Sequence, residues 1–184
     1  MGTPETVILL DEDGERIGTA PKADVHTHQT PLHLAFSCHV LNAAGQVLMT
    51  RRSLGKKTWP GVWTNSVCGH PAPGESFEDA IRRRSRDELG IEVTDIAPAV
   101  PDFRYRAVDA SGIVENEVCP VFTARTTSEP VPHPDEVMDH AWVAPDDLHR
   151  AVAAAPWALS PWLVEHAPAL RLPEQYPPGP GDQP

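Results

Sequence analysis

Alternating apolar and polar positions predict β-strands along most of the chain. Residues 7–20 have the pattern of a hairpin that turns at Asp13-Gly14, and the runs 33–41 and 46–52 predict a second hairpin around NAAG. The other predicted strands are 64–70 (a short strand or loop), 91–96, 103–108, 113–125 and 140–144. The pattern is therefore typical of a chain rich in short strands joined by turns.

Three helices are predicted among these strands. The clearest begins after Ser76, which can cap it, has acidic residues in its first turn and ends before Gly90. Two others cover residues 145–155, which start with Pro, and 160–167, where Ser160 is the expected cap. Many strands with a few helices packed on them predict an α+β domain with α/β/α layers.

Length and composition predict a single domain. The chain has 184 residues, and we expect one domain over residues 1–171. Residues 172–184 are rich in Pro and Gly, which predicts a disordered tail. No exposed apolar helix indicates an interface, so we expect a monomer.

The net charge and the cysteine content restrict the possible partners. A formal net charge of −11 disfavours general binding to nucleic acid or to an anionic membrane. A phosphorylated substrate would therefore need a local basic pocket or bound cations. No run approaches the ~20 apolar residues of a membrane span, and the acidic N-terminal stretch does not resemble a signal peptide. Three cysteines, an odd number, argue against a disulfide framework and favour the reducing cytoplasm.

The predicted strand 113–125 carries two carboxylates on one face. Strand alternation places Glu115 and Glu117 on the same side as Cys119 and Val121. One interpretation is a solvated strand face, since charged groups are mostly exposed. Apolar residues on both faces favour instead a strand covered on both sides. Two buried carboxylates would then require a positive group between them.

Three of the nine histidines are candidates for metal binding. His26 and His33 flank a Thr/Gln/Pro loop, and His70 lies in TNSVCGH. With Glu115 and Glu117 they make an N3O2 set suited to an octahedral cation such as Mn²⁺ or Mg²⁺, with Zn²⁺ as a further choice. Spacing alone does not establish this set, because its members come from three distant segments and single histidines are often structural.

Cys68 is the cysteine whose neighbours indicate chemistry. The commoner fate of a free cysteine is to be a small buried hydrophobe. However, Gly69 allows a ligand to approach the backbone closely, and a positive His70 nearby would lower the thiol pKa from ~8.5. Cys38 and Cys119 lack such neighbours.

Residues 69–91 match the spacing of a known motif. Gly69 is followed after five residues by Glu75 and after seven more by Arg83, and DELGI closes the segment. This resembles the Nudix box, Gx5Ex7REUxEExGU with U apolar, in which a loop–helix–loop presents glutamates to Mg²⁺ ions that bind a diphosphate. Arg84 stands where the second invariant glutamate belongs, so such a site could hold a diphosphate through one Mg²⁺ but should hydrolyse it poorly. The alternative is a solvated amphipathic helix with Arg/Glu pairs.

Longer strings extend the resemblance beyond this motif. LHLAFS, WPGVWTNSVCGHP, DELGI, DFRYRA, GIVENEVCPVF, DEVMD and SPW follow one another over about residues 20–165. On these strings the chain resembles type I isopentenyl-diphosphate Δ-isomerases, a family with the Nudix fold. The resemblance implies a mixed β-sheet core flanked by helices, an N-terminal hairpin extension and a small isoprenoid diphosphate as the substrate.

The resemblance also implies roles for individual residues. It assigns proton transfer to Cys68 and Glu117, with Tyr105 beside Glu117. It assigns five metal ligands, namely His26, His33, His70, Glu115 and Glu117, and it places a Mg²⁺ for the substrate diphosphate at Glu88 and the backbone carbonyl of Cys68. Contacts to the diphosphate are assigned to Lys22, Arg52, Lys56 and Arg83, and Trp162 is expected over the hydrocarbon.

The implied reaction converts isopentenyl diphosphate into dimethylallyl diphosphate in isoprenoid biosynthesis. One carbon gains a proton and another loses one, through a carbocation-like intermediate, so the site needs two acid/base groups and must exclude water. The competing hypotheses are a Nudix hydrolase of a nucleoside diphosphate derivative and a non-catalytic diphosphate-binding module. Arg84 and Cys68 argue against the hydrolase.

Overall fold

The computed structural model describes residues 5–172. The strands are β1 (Thr6–Leu10), β2 (Arg16–Pro21), β3 (His33–Leu34), β4 (Phe36–Leu41), β5 (Val47–Arg52), β6 (Trp63–Thr64), β7 (Val67–Gly69), β8 (Thr94–Val100), β9 (Arg104–Val108), β10 (Val114–Val118), β11 (Val121–Arg125) and β12 (Val137–Val143). The helices are α1 (Lys22–Val25), α2 (Phe77–Leu89), α3 (Pro145–Ala154) and α4 (Pro161–His166), with a 3₁₀ turn at Pro156–Ala158. Within these residues no helix is long and apolar enough to cross a bilayer.

The strands form two sheets that contain both parallel and antiparallel pairs. The first has the order β2-β1-β3-β10-β9 and includes the N-terminal hairpin. The second has the order β12-β5-β4-β11-β8, with β6 beside β5 and β7 beside β4. The pairs β3–β10 and β4–β11 are parallel, and the others are antiparallel. The predicted α+β fold, with a mixed sheet core and an N-terminal hairpin, is confirmed.

Two segments predicted as single strands each divide between the two sheets. The run 33–41 breaks at Ala35, and the run 113–125 breaks at Cys119-Pro120. Pro120 has no backbone N–H and cannot continue the ladder as a donor. Its carbonyl instead accepts a bond from the Ser37 amide at 3.1 Å. The chain thus passes twice, side by side, from the first sheet into the second.

The second predicted hairpin opens almost at once. Of β4 and β5 only Leu41 and Val47 are paired, and β6 and β7 fill the gap between the diverging strands. Ser66, which links β6 to β7, donates to the Leu48 carbonyl and accepts from the Val40 amide, both at 2.7 Å. The residues between β6 and β7 therefore connect both sides of the split.

Helix α2 is capped as predicted. The Ser76 hydroxyl accepts a bond from the Asp79 amide at 3.1 Å, and Gly90 ends the helix in the left-handed conformation at φ 64°. Its buried face includes the ion pair Arg84–Glu88 as well as apolar residues. The helix lies close to β7: a Cβ added to Gly69 would be only 2.8 Å from Arg84 Cγ. Gly69 thus permits the approach of the helix, where the sequence predicted the approach of a ligand.

Several boundaries differ from the predictions. Strand β8 begins at Thr94, where the sequence predicted 91–96, and β12 begins at Val137, where the sequence predicted 140. The short helix α1 was not predicted. Ser160 makes no side-chain cap, because its hydroxyl bonds to Thr64 at 2.8 Å. Leu172 is buried, and the rest of the predicted tail, 173–184, lies outside the described residues, as do residues 1–4.

Candidate active site

A pocket with a volume of about 170 Å³ is lined by residues from both sheets and from helices α1, α2 and α4. Eleven of the residues assigned to the site by resemblance line it, namely Lys22, His26, Arg52, Lys56, Cys68, His70, Glu88, Tyr105, Glu115, Glu117 and Trp162. Two do not: His33, which is completely buried, and Arg83. The fold thus brings residues from distant segments into one cavity.

Strand β10 carries Glu115 and Glu117, which are buried, with 7 % and 6 % of their surface exposed. The alternative of a solvated strand face is therefore wrong. In the strand register Glu117 lies between His33 of β3 and Tyr105 of β9. The Tyr105 hydroxyl donates to Glu117 Oε2 at 2.9 Å.

Three histidine rings surround the Glu117 carboxylate. One nitrogen or oxygen atom from each of His26, His33, His70 and Glu117 lies within 4.8 Å of the others, which makes a cluster that could hold a metal ion. Glu117 Oε1 is 3.1 Å from His70 Nε2 and 3.3 Å from His33 Nε2. Glu115 borders this cluster, with its Oε2 3.0 Å from His26 Nε2.

The donor atoms of this cluster fit a divalent cation. His33 Nδ1 lies 2.9 Å from the Pro31 carbonyl, which can only accept, so Nδ1 carries a proton, and in the neutral form of the ring Nε2 would offer its lone pair to a bound ion. His33 Nε2 and His26 Nε2 are buried and lack a well-aligned hydrogen bond. The Thr58 hydroxyl donates to Glu115 Oε1 at 2.6 Å, which fixes that carboxylate from behind. Buried, preoriented nitrogen and carboxylate donors are what a structural or catalytic metal requires.

The same contacts control the ionisation of this group. Burial alone would raise the pKa of Glu117, but the close contacts with the His33 and His70 rings outweigh burial and hold this pKa well below its usual range. Burial and the Glu117 charge raise the pKa of Tyr105 well above its usual value. Tyr105 therefore stays a neutral hydrogen-bond donor to an ionised carboxylate.

Cys68 differs from the other two cysteines in its surroundings. Cys38 and Cys119 are at most 1 % exposed, whereas Cys68 is half-buried and lines the pocket. Its sulfur lies 3.4 Å from Ser37 Oγ and 3.2 Å from Asn65 Nδ2. Burial raises the pKa of the Cys68 thiol to about 11, although both of these hydrogen bonds act in the opposite direction. The sequence argument that His70 lowers this pKa is wrong, because burial dominates.

The basic residues of the pocket include two that the sequence did not assign. Lys22, Arg52 and Lys56 line it, and so do Lys57 and Arg84. Each lysine of the assigned set has a carboxylate partner, since Lys22 pairs with Glu5 and Lys56 pairs with Glu136.

Arg83 and Arg84 point in different directions from helix α2. Arg83 makes two 2.8 Å bonds to Glu75 and does not reach the pocket. Arg84 is buried in the pocket wall, bonds to Glu88, and lies 3.1 Å from Glu5. The signal for Arg84 was its position in the Nudix box, four residues before Glu88 and one turn along the same helix face.

Trp162 is held at its nitrogen and covered on its ring. The indole N–H donates to Asn65 Oδ1 at 3.0 Å. The Arg52 guanidinium lies 5.3 Å from the ring centroid, within cation–π range. Tyr105 packs against the ring with centroids 5.7 Å apart. An aromatic face and a tyrosine thus meet at the wall that also carries Cys68.

Comparisons with known proteins identify the family to which the chain is similar. The family model of the NUDIX domain matches residues 31–163. An isopentenyl-diphosphate Delta-isomerase of Agromyces mediolanus is 64% identical over 166 residues, which cover 90% of this chain and 81% of that protein. The enzyme of the same name from Kocuria rhizophila is 61% identical over 171 residues, or 92% of this chain and 95% of that protein.

A solved structure extends the comparison to the fold. DR0079 from Deinococcus radiodurans has a TM-score of 0.68 and 23% identity, and the match covers 90% of this chain and 99% of that one. At this identity the likeness concerns the fold alone.

Proposed function

The chain belongs to the NUDIX domain family and, within it, to the isopentenyl-diphosphate Delta-isomerases, and from this we propose that Cys68 and Glu117 transfer the protons in the interconversion of isopentenyl and dimethylallyl diphosphate. The observation that carries the proposal is that a thiol and a buried carboxylate line one pocket together with an indole face and five cations.

The reaction needs little more than these groups. A proton is added to one end of the double bond, and a proton is removed from the carbon on the other side, so that the double bond moves by one position. Positioned general acids and bases contribute about 10²–10⁴-fold each to such steps. Tyr105 orients the Glu117 carboxylate, and the Trp162 face stabilises positive charge on the hydrocarbon by roughly 1–2 kcal/mol.

The diphosphate is bound by the basic residues of the pocket. Lys22, Arg52 and Lys56 supply charge, and Arg84 supplies a guanidinium with planar, paired donors. Glu88 and the Cys68 carbonyl would hold the Mg²⁺ that accompanies the diphosphate. Contact of Arg83 with the substrate stays a prediction. In the structure the Arg83 guanidinium donates hydrogen bonds to Glu75 instead.

The three histidines and two glutamates would hold a second divalent cation, Mn²⁺, Mg²⁺ or Zn²⁺. When bound, that ion would supply positive charge that tunes the proton affinity of the Glu117 carboxylate. His33 and Glu115 would act mainly by position, since the Pro31 carbonyl and the Thr58 hydroxyl already orient them.

The remaining expectations concern the cellular compartment and the oligomeric state of the protein. The three cysteines within the described residues are all thiols, which supports a reducing compartment such as the cytoplasm. Activity as a monomer stays an expectation.

A Nudix hydrolase would need carboxylates where this chain has Arg84. That guanidinium is bonded to Glu88 and lies near Glu136, so positive charge occupies the position from which a second carboxylate would bind metal. Hydrolysis of the diphosphate is therefore disfavoured, and the relatives named above are isomerases.

The test is incubation with isopentenyl diphosphate in D₂O, followed by NMR. We expect dimethylallyl diphosphate that carries solvent deuterium, without release of phosphate or diphosphate. Cys68→Ala should lower kcat by at least about a thousandfold while the fold and the metal content persist. Cys38→Ala, which alters a cysteine outside the pocket, should leave kcat nearly unchanged. Rapid hydrolysis without isomerisation, or near-normal activity of Cys68→Ala, would contradict the proposal.

A further inference from the structure

Asn65 lies between β6 and β7, where β4 and β5 diverge, and it is completely buried. Its side chain lines the pocket, although nothing in the reaction uses an amide directly. A buried amide must satisfy two donor hydrogens and one carbonyl oxygen. The partners that satisfy them are therefore informative about its role.

The first partner is the sulfur of Cys68. Asn65 Nδ2 lies 3.2 Å from the sulfur and Oδ1 lies 3.4 Å from it, so the amide can both donate to and accept from this atom. A group that gives up and regains a proton needs a neighbour that suits both forms. The amide donates to a thiolate and accepts from a thiol without changing its position, whereas a carboxylate could only accept and an ammonium could only donate.

The second partner is the indole of Trp162. Its single N–H donates to Asn65 Oδ1 at 3.0 Å, and the Thr64 hydroxyl donates to the same oxygen at 3.0 Å. The indole has a single N–H, and the hydrogen bond that this group makes constrains the ring plane at this edge. The oxygen of Asn65 thus determines where the ring face lies in the pocket.

The third set of partners fixes the amide itself. Nδ2 donates to the Val67 carbonyl at 3.0 Å and lies 3.3 Å from the Cys38 carbonyl. An exchange of Nδ2 and Oδ1 would place a donor against the indole N–H of Trp162 and an acceptor against two carbonyls. Only one orientation is therefore consistent with the surroundings, and backbone atoms of β4 and β7 hold it.

We propose that Asn65 is a positioning residue that holds the Cys68 sulfur and the Trp162 ring in one fixed arrangement around the substrate. This inference rests on the proposed function of these two residues in the isomerisation. A single amide that contacts both groups keeps the proton-transfer atom and the cation-stabilising face at a constant separation. A displacement of either group by about 1 Å is enough to cost about a hundredfold in rate.

The test compares Asn65→Ala and Asn65→Asp with the wild type. Alanine removes both contacts. Aspartate, protonated where it faces the Val67 and Cys38 carbonyls, keeps an acceptor for the indole and removes the N–H donors to the sulfur. Thr126→Ala is the control, because Thr126 is a buried residue outside the pocket whose hydroxyl donates to the Glu92 carbonyl at 2.7 Å. It measures the effect of losing a buried hydrogen bond alone.

Three quantities are measured on each metal-loaded protein. They are kcat and KM with isopentenyl diphosphate, the rate at which iodoacetamide alkylates Cys68 by mass spectrometry, and the indole ¹⁵N–¹H resonance of Trp162, assigned by its loss in Trp162→Phe. We expect Asn65→Ala to lower kcat about a hundredfold with little change in KM. It should also change the alkylation rate and move the indole resonance.

Asn65→Asp separates the two contacts. It should lower kcat and change the alkylation rate while the indole resonance stays near its wild-type position. Thr126→Ala should lose thermal stability but keep all three quantities. If Asn65→Ala does not fold, Asn65→Asp, which has the same shape, decides by the same readouts.

Two results would overturn the inference. One is a folded Asn65→Ala protein with a kcat within about twofold of the wild type. The other is a lower kcat with unchanged alkylation and an unchanged indole resonance, since the loss would then not arise from position. A wild-type protein that does not isomerise the substrate would contradict the proposed function instead, so the two failures are distinct.

Discussion

Two groups of buried histidines lie in this molecule, and they differ in what surrounds them. His26, His33 and His70 surround the carboxylate of Glu117 at the pocket. His39 and His166 lie elsewhere in the core, with their Nε2 atoms 2.8 Å apart. The first group has acidic partners, whereas the rings of the second group contact each other and Phe103.

The difference determines what each group can do. In the pair, burial lowers the pKa of His166 to about 4 and that of His39 well below its usual value. Both Nδ1 atoms are buried without a hydrogen-bond partner, so an added proton would be an unpaired charge in an apolar environment. At the pocket, Glu117 provides the negative charge that a cation needs. Burial alone therefore makes a structural histidine, and burial beside a carboxylate makes a candidate ligand.

The largest expected effect comes from removing the carboxylate that distinguishes the first group. Glu117→Gln should lower kcat by at least about a thousandfold, because it removes a proton-transfer group. It should also lower the metal content, measured by elemental analysis of the purified protein. Glu165→Gln, in helix α4 outside the pocket, is the matched control. Normal metal content in Glu117→Gln would remove this residue from the ligand set.

A smaller effect on metal binding is expected when histidine rings are removed from each group in turn. His33→Ala should weaken metal binding by at least about tenfold, in a titration with Mn²⁺ or Zn²⁺, because it removes a preoriented nitrogen. The double variant His39→Leu/His166→Leu should keep the wild-type affinity. If the double variant loses the metal and His33→Ala retains it, the assignment of the two groups is reversed.

The smallest effect concerns stability and pH. The folded-state pKa values of the pair lie below the unfolded value of about 6.5, so their stabilisation is complete above that pH and is lost as the pH falls toward 4. For His166 alone the loss between pH 7 and pH 5 is about 2 kcal/mol.

The measurement is urea unfolding of the wild type and of the His39→Leu/His166→Leu variant at both pH values. Removing both polar partners should reduce the pH dependence. An equal loss of stability in both proteins would show that the pair does not account for the acid sensitivity.

Much of the fold could be predicted from local patterns. Helix α2 has its cap at Ser76 and its end at Gly90 as the sequence indicates, because both signals act through the nearest backbone groups. The hairpin of β1 and β2 likewise follows from its own turn and strands. The breaks at Ala35 and Cys119-Pro120 were not predicted, because apolar periodicity continues through them while the hydrogen-bond partners change.

The candidate site shows the same division. Alternation along the strand was sufficient to place Glu115 and Glu117 on one face, and the family resemblance assigned the candidates His26 and His33 as metal ligands. The sequence could not distinguish Arg83 from Arg84, because adjacent residues on a helix point about 100° apart and only packing shows which one faces the pocket. Asn65 carried no signal of its own, since two of its partners, Cys38 and Trp162, come from distant segments.

The sequence by itself determined the fold class, the family and the chemical types in the site. These depend on periodicity, on capping and on motif spacing, which are properties of neighbouring residues. The tertiary structure alone decided which ionisable groups share an environment. Glu117 is ionised because two histidines from other segments reach it, the Cys68 thiol is protonated because its sulfur is withdrawn from solvent, and His39 and His166 stay neutral because burial disfavours their charged forms. Electrostatic energy depends on distance and burial, and neither can be read along the chain.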